Sequence, residues 1–361
     1  NNNTPAHFNA YASQAQRFEA NAFLPHTIND QLSTATLLHL SSMNYRRDHN
    51  HDGFLAMPLG KQVSVVNRWD WTNNSGKEGQ AGIKVTFMDN ISGQKDFDPG
   101  TSVRTNIWGA DIATNRAEFW VKRGVVNIDN PYKSLGIQLA GTYHDQKSQF
   151  GVRRYDGNQK SLYFNMIYQT IIGNTDHQIR TGSSFQYDDF NETVASTEYL
   201  RNEWVPGVFG EYTYKGSEKF SLLAGLRADY HNNFGLFFTP RLNLRYAPNE
   251  STVLRFAGGR GQKTANIFAE NIGYFASNRE IIIEGNDKTK TPYGLNAEVA
   301  WSAGLSLTKE FHISSRNILF SADINRIDFE NQVVVNLDRT ARSVIFSNLS
   351  GKSYSNSIQT Q

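Results

Sequence analysis

The sequence predicts an all-β fold, a transmembrane antiparallel β-barrel of which these 361 residues form one part, incomplete at both ends. Three observations predict it. Apolar and polar residues alternate with period 2 along nearly the whole chain, the signature of strands with one dry face. The alternating stretches number roughly 15 and run about 10 residues each, the length a tilted strand needs to cross a bilayer. The connectors alternate between short and long, as periplasmic turns and outer loops do in such a barrel.

In order, the stretches begin near Arg17, Leu32, Lys61, Gln80, Ala117, Ser134, Lys160, Asp176, Trp204, Lys219, Thr239, Ser251, Glu298, Ser315 and Arg342. Between Ser221 and Tyr230, Leu222, Ala224, Leu226, Ala228 and Tyr230 share one face, and Leu223, Gly225, Arg227 and Asp229 share the other. Leu242, Leu244 and Tyr246 oppose Arg241, Asn243 and Arg245. Val299, Trp301, Ala303, Leu305 and Leu307 oppose Ala300, Ser302, Gly304 and Ser306. Ile318, Phe320, Ala322 and Ile324 oppose Leu319, Ser321, Asp323 and Asn325.

Short connectors fall at 73–79, 127–133, 171–175, 216–218, 248–250 and 311–314, and long ones at 45–60, 90–116, 145–159, 188–203, 259–297 and 327–341. Trp69, Trp71, Tyr212 and Tyr214 precede short turns, while Tyr143, Tyr187 and Tyr230 precede long loops. Two aromatic girdles at the membrane interfaces place residues this way. The alternative, a soluble all-β protein with exposed aromatics, has no reason to keep the short–long rhythm. No repeat of about 20 to 50 residues suggests a propeller or solenoid. Residues 265–275 are read as a short helix inside the long 259–297 loop. The last strand stops at residues 353–361 without a terminal aromatic, so closing strands are expected outside this chain.

Composition removes several classes of function. A net charge of +2 gives no reason to expect nucleic acid, which calls for a strongly basic face. The absence of cysteine excludes a disulfide framework, thiolate metal sites and cysteine nucleophiles. No run of about 18 apolar residues is present, so no transmembrane helix is expected. The mean hydropathy of -0.54 would argue against a membrane, except that barrel strands average their lipid-facing and water-facing residues. The polar start, Asn1 to Thr4, is no signal peptide, so the chain is expected to begin inside a mature protein. Gly-x-Ser-x-Gly, P-loop, His-Glu-x-x-His and dinucleotide motifs are all missing, and the chain is read as no enzyme. The inward-facing Arg227, Asp229, Arg241, Arg245 and Asp323 read as a charge ladder across a lumen.

One segment carries a family resemblance. Pro240-Arg-Leu-Asn-Leu-Arg-Tyr-Ala-Pro248 is followed by Thr252-Val-Leu-Arg-Phe-Ala-Gly-Gly-Arg-Gly-Gln-Lys-Thr-Ala-Asn-Ile-Phe-Ala-Glu-Asn271. The pair resembles a recurring segment of TonB-dependent outer-membrane receptors. There a Pro-Arg-x-x-x-x-Tyr strand, a short turn and a strand with a Gly-rich bend lead to an acidic residue, which Glu270 matches. Gln262 stands where Phe is usual and Asn266 where Pro is usual, departures that resemble a Bacteroidetes-type branch. Gly258, Gly259 and Gly261 would let the strand bend as it leaves the sheet.

The resemblance implies a 22-strand barrel plugged by an N-terminal domain, with plug, TonB box and closing strands outside this chain. It implies energised import of a scarce solute, a siderophore or other metal chelate or a cobalamin-like molecule. The partners it implies are the TonB complex of the inner membrane, the small-molecule ligand and outer-membrane lipid, with room for a surface lipoprotein. A passive porin-type channel is the alternative.

Two sets of candidate site residues follow. Asp48-His-Asn50-His-Asp52-Gly53-Phe54 fits the start of a calcium loop. Asp48, Asn50 and Asp52 would offer side-chain oxygens and Phe54 a carbonyl, around a tight turn at Gly53. Leu59 stands where a bidentate Glu would complete it, so calcium is read as a structural loop organiser. A solvated polar turn and a transition-metal site through His49 and His51 are the other readings. In the loops at 90–116 and 259–297, Arg104, Trp108, Arg260 and Lys263 are candidates to meet an anionic or aromatic chelate, against the plain reading of solvated loop residues. Arg153 and Arg154 have the same status, with lipopolysaccharide phosphates as a second partner.

Overall fold

The structure is a computed structural model and describes residues 5–73, 77–100, 107–127, 129–285 and 291–361. The strands in chain order are β1 His7–Ala12, β2 Arg17–Asn29, β3 Leu32–Met43, β4 Leu59–Thr72, β5 Lys77–Gly93, β6 Gly109–Val126, β7 Ser134–Phe150, β8 Arg153–Ile172, β9 Asn174–Val194 and β10 Thr197–Tyr214. They continue as β11 Phe220–His231, β12 Gly235–Asn249, β13 Thr252–Lys263, β14 Glu280–Glu284, β15 Glu298–Ile313, β16 Arg316–Asn331, β17 Val333–Asn336, β18 Ser343–Asn348 and β19 Ser353–Thr360. Sixteen form one sheet in the order β1 to β13, β15, β16, β19. All its ladders are antiparallel, from β1–β2 to β16–β19. β1 and β19 are its two edges, and the sheet is not closed on itself. Among the described residues no helix is long and apolar enough to cross a membrane.

The period-2 pattern sorts side chains as expected. On β10 the outward residues Leu200, Trp204 and Val208 are exposed, while Arg201, Glu203 and Glu211 on the other face are buried. Leu226 on β11 is exposed outward, and Arg227 beside it turns inward, opposite Phe209. Two aromatic clusters mark the membrane faces. Trp204 packs on Tyr230 at 5.6 Å, and His177 packs on Tyr212 and Tyr214 at 6.0 and 5.1 Å. Trp204 to Tyr214 is roughly 33 Å along the strand, which a tilt of about 40° reduces to roughly 25 Å, the height of the apolar band of an outer-membrane barrel.

Of the five charges expected to form a ladder, Arg227, Asp229 and Arg241 enter ion pairs, whereas Arg245 donates to the Glu218 carbonyl at 2.9 Å. Glu211 pairs with Arg241 and, at 3.5 Å, with Arg180, and Arg227 pairs with Asp229 at 2.6 Å. The latter pair lies over Gly207, the cross-strand partner of Asp229. A Cβ built there would stand 1.9 Å from Asp229 Oδ1 and 2.7 Å from Arg227 Nη2, so only glycine leaves room for the bridge.

Three expectations differ. Residues 145–159 and 188–203 are not long loops: β7 and β8 run on to a two-residue turn at 151–152, and β9 and β10 to one at 195–196. Beyond Tyr143 and Tyr187 the outward side chains meet water, so the dry face ends and the apolar alternation fades. Backbone pairing continues regardless, in unbroken register from Tyr143↔Lys160 to Phe150↔Arg153 and from Tyr187↔Trp204 to Val194↔Thr197. These hairpins run roughly 20 Å beyond the level of Tyr143 and Tyr187. The strand begun near Arg342 is β18, which belongs to a separate small sheet, and the barrel strand is β19. β1, shorter than a membrane crossing, escaped the periodicity altogether. In the long loop, residues 265–275 form a 3-10 helix at Ala269–Ala276.

Candidate functional site

The outer end of the sheet carries a second, packed layer. The β13–β15 connection contributes β14 and the β16–β19 connection contributes β17 and β18. β14 pairs in parallel with β18, and β18 pairs antiparallel with β17. Ile281, Ile282 and Ile283 lie opposite Val344, Ile345 and Phe346. Two connections far apart in sequence are thereby locked into one cap.

The cap docks on the inner face of the protruding hairpins. Phe268 and Phe275 of the cap, both nearly inaccessible, pack with Phe150, Tyr155, Val194, Leu295, Val344 and Phe346. Phe275 stacks on Tyr155 at 5.0 Å and Phe150 at 5.8 Å, and Phe268 meets Tyr199 at 4.9 Å and Tyr293 at 5.5 Å. Polar anchors frame this core. The Arg153 guanidinium donates to the carbonyls of Tyr274 and Arg279. Arg201 donates to Asn266 Oδ1 at 2.5 Å and Tyr293 Oη at 3.3 Å, with its guanidinium 3.7 Å over the Phe190 ring.

Glu192, buried, accepts from Tyr155 Oη at 2.9 Å and from Tyr293 Oη. Burial first, and then the Glu192 charge, push both phenols well above the ordinary tyrosine range, so they remain hydrogen-bond donors at any physiological pH.

Below the cap a cavity of about 600 Å³ opens on the inner wall of β8–β13. Asp188, Glu203, Asp229, His231, Arg227 and Lys263 give it its charge. Phe190, Phe234, Phe237 and Tyr163 give it aromatic surface. Its size is that of a small-molecule pocket.

The predicted ligand residues fall in different places. Lys263 lies at the cavity edge, tied to Glu270 at 3.1 Å and Glu298 at 3.2 Å. Arg260 also borders the cavity but is committed to the wall. The β12–β13 ladder stops at Arg241↔Gly259, next to Pro240, which has no N–H to donate. Arg260 spans the gap: Nη1 donates to the Phe238 carbonyl at 3.0 Å, while Nε and Nη2 fork onto Glu330 at 3.1 and 2.7 Å. Glu330 is the extra residue of a β-bulge between β15 and β16, which turns its carboxylate toward Arg260 and toward Trp301 Nε1 at 2.7 Å. Trp108 is outside the cavity; it bonds Gln94 and presses on Gly151, whose added Cβ would lie 2.8 Å from the indole. Arg104 lies outside the described residues. Arg154 points outward and pairs with Asp156 at 2.7 Å.

The loop at 48–54 closes on its own backbone. Asp48 accepts from the N–H groups of Asp52 at 3.2 Å and Gly53 at 2.9 Å, and Asp52 accepts from Phe54 N–H at 2.9 Å. Desolvation pushes the Asp48 carboxyl up, but the N–H groups of Gly53, Asp52 and His51, with the His51 charge, together outweigh it and hold the group below its ordinary value. The geometry is that of an Asx-type polar turn. No cluster of three or more metal-binding side chains occurs among the described residues.

Sequence reasoning missed the residues that build the site: Asp188, Glu192, Arg201 and Glu203 lay inside a supposed loop. Apolarity carried no signal there, because Tyr199, Arg201, Glu203 and Val205 on one face and Leu200, Asn202 and Trp204 on the other each mix polar and apolar residues.

A family model described as TonB dependent receptor-like, beta-barrel, matches residues 3–358. Among solved structures, the siderophore receptor PirA of Pseudomonas aeruginosa aligns over 98% of this chain and 61% of its own, at 12% identity and a TM-score of 0.66. A variant of the ferric enterobactin receptor PfeA of the same species aligns over 98% and 58%, at 12% identity and 0.72. The alcaligin outer-membrane receptor FauA of Bordetella pertussis aligns over 99% and 58%, at 12% identity and 0.65. The chain thus spans about three fifths of the length of these structures. No curated protein matches.

Proposed function

Because the chain belongs to the family of TonB-dependent receptor β-barrels, we propose that it forms most of the wall of an energised importer that takes up a scarce solute. The family is one of outer-membrane transport barrels rather than enzymes, and the chain is an outer-membrane β-barrel of this kind. The observation that carries the import reading is the cavity beside the cap: a pocket of about 600 Å³ with convergent charged and aromatic groups is rimmed by Thr264, Asn266 and Ala297, at the ends of a connection that packs into the cap. A passive porin needs an open aqueous path and has no use for a packed layer at its mouth. A selective receptor needs a small, shaped site at its outer mouth.

A siderophore or other metal chelate is our first choice of solute, supported by the solutes named for PirA, PfeA and FauA; a cobalamin-like molecule is the second. Coupling to the TonB complex would act through an N-terminal plug outside this chain, and a surface lipoprotein could dock on the raised hairpins. Gln262 and Asn266 support a Bacteroidetes-type branch. Calcium at Asp48, Asn50, Asp52 and Phe54 would be a structural ion that tightens an already closed turn.

Uptake by cells expressing the full-length protein tests the reading, with iron, copper and cobalamin chelates at nanomolar concentration, with and without an uncoupler of the proton gradient. Uptake of one chelate that collapses with the gradient is expected. Uptake that persists, grows linearly with concentration and ignores chelate identity would establish a porin instead.

A further inference from the structure

We infer that the cavity selects a solute presenting an organic cation, an ammonium or guanidinium group, to Asp188. This rests on the importer reading above and names the chemistry of its ligand. Asp188 and Glu203 are direct cross-strand partners on the inner faces of β9 and β10, and both are more than nine-tenths buried. Like charges directly opposite one another destabilise a sheet, and a buried carboxylate without a counter-charge is costly.

Glu203 has partial compensation, Arg201 Nε at 3.2 Å and His231 Nε2 at 3.6 Å. Asp188 has neutral donors only. Gln159 Nε2 reaches it at 3.1 Å, Gln186 Nε2 at 2.6 Å, and Ser161 Oγ completes the set. Among the described residues no cation lies within ion-pair distance of it.

The cations nearby are all engaged. Arg227 is held by Asp229, Arg260 by Glu330, Arg201 by Glu203, and Lys263 by both Glu270 and Glu298. Three acids line the cavity, Asp188, Glu203 and Asp229, and of its three lining cations Arg260 and Lys263 are engaged by carboxylates outside the lining while only Arg227 pairs with a lining acid, so the acids facing the cavity outnumber the cations left to pair with them. A low-dielectric wall raises the attraction of such a surplus for a cation.

The rest of the lining suits an organic cation better than a bare metal ion. No three metal-binding side chains converge among the described residues. Phe190 already carries a guanidinium on its face, and Phe234 and Phe237, 6.5 Å apart, offer two further rings to the cavity. The Gln159 and Ser161 donors on Oδ1 and the Gln186 donor on Oδ2 fix the Asp188 carboxylate in one orientation, leaving a lone pair of Oδ2 for an incoming N–H.

The test uses the full-length receptor in detergent with agmatine, a small guanidinium amine, as the probe, against sodium chloride of equal ionic strength. Saturable agmatine binding is expected, weakened at least tenfold by Asp188→Asn. Gln186→Lys, which places an ammonium beside Asp188 from the same face of β9, should abolish binding and raise the thermal midpoint.

No saturable binding to the wild type, or an unchanged Kd in Asp188→Asn, overturns the inference. So does a large loss of thermal stability in Asp188→Asn without agmatine binding to the wild type, which would mean that the protein itself supplies the counter-charge. Gradient-dependent uptake of a purely anionic chelate that agmatine does not inhibit would sink this inference and leave the importer standing. Gradient-independent uptake with agmatine binding intact would do the reverse.

Discussion

Phe268→Ala is the sharpest probe of the cap. The ring is about 1% exposed and touches Tyr155, Tyr199, Phe275 and Tyr293, with centroids at 6.3, 4.9, 6.2 and 5.5 Å. Truncating a buried phenylalanine costs about 3–5 kcal/mol, the lost transfer energy plus the cavity left behind. That energy falls on the docking of the cap and not on the barrel, because the barrel strands pair through their backbones and Phe268 belongs to no strand. At about 1.4 kcal/mol per tenfold change, the local opening equilibrium should rise by roughly two to three and a half decades.

Hydrogen exchange followed by peptide mass spectrometry reads this directly. Peptides from 264–285 and 332–348 should lose protection together, because β14 and β18 are paired. Peptides from β11 and β12 should not change. Loss confined to 264–285 would refute the idea of a single interlocked cap. Loss spreading through β11 and β12 would refute the separation of cap from barrel.

Three further outcomes are expected. Leu226→Arg, on the lipid face between the two aromatic clusters, should destabilise the barrel by about 2–4 kcal/mol in bilayer refolding titrations, whereas Leu223→Arg on the opposite face should cost little. Gly207→Ala should push apart the Arg227–Asp229 bridge, with a stability loss of about 1–3 kcal/mol from overpacking; equal stability of the double variant Gly207→Ala/Asp229→Ala and of Asp229→Ala alone would support that origin. In the 48–54 loop the depressed Asp48 carboxyl contributes order above its ordinary value of 3.8 and loses it as pH falls below that point. Proteolysis of residues 44–58 by pepsin should accelerate only below about pH 4 and not in Asp48→Asn; a calcium-dependent rise in melting temperature that Asp48→Ala/Asp52→Ala removes would establish the ion, and no shift with calcium would leave the polar turn.

The barrel was legible because the bilayer imposes it. A strand crossing lipid must show a dry face every second residue, and Leu222 to Tyr230 or Leu305 to Val299 display one without help from any other part of the chain. The site was not legible for the converse reason. Above the girdle both faces of β9 and β10 mix polar and apolar residues: Asp189, Asn191 and Asn202 turn outward with Leu200, while Glu192 and Arg201 turn inward with Val194 and Tyr199 to partners as far away in sequence as Asn266 and Tyr293. Period 2 in apolarity then carries no information, and only the long-range partner explains why a charge is tolerated. Arg260 shows the same limit from the other side. Its position in a Gly-rich bend read as a ligand contact, but a missing N–H at Pro240 and a bulge at Glu330, remote from it in sequence, commit it to the wall.

A physical division of labour follows. Where backbone pairing and lipid fix the strands, side-chain chemistry on the inner face is released from any duty to fold the sheet. Arg227–Asp229 and Arg241–Glu211 use that freedom to neutralise one another. Asp188 does not, although a cross-strand neighbour, Glu203, is placed where a lysine or arginine would have cancelled its charge. Two buried acids placed directly opposite one another across a ladder are an expense the fold has no need to bear. The cation that would offset it is therefore best sought among the molecules that enter the cavity, and the agmatine titration asks that question of Asp188 alone.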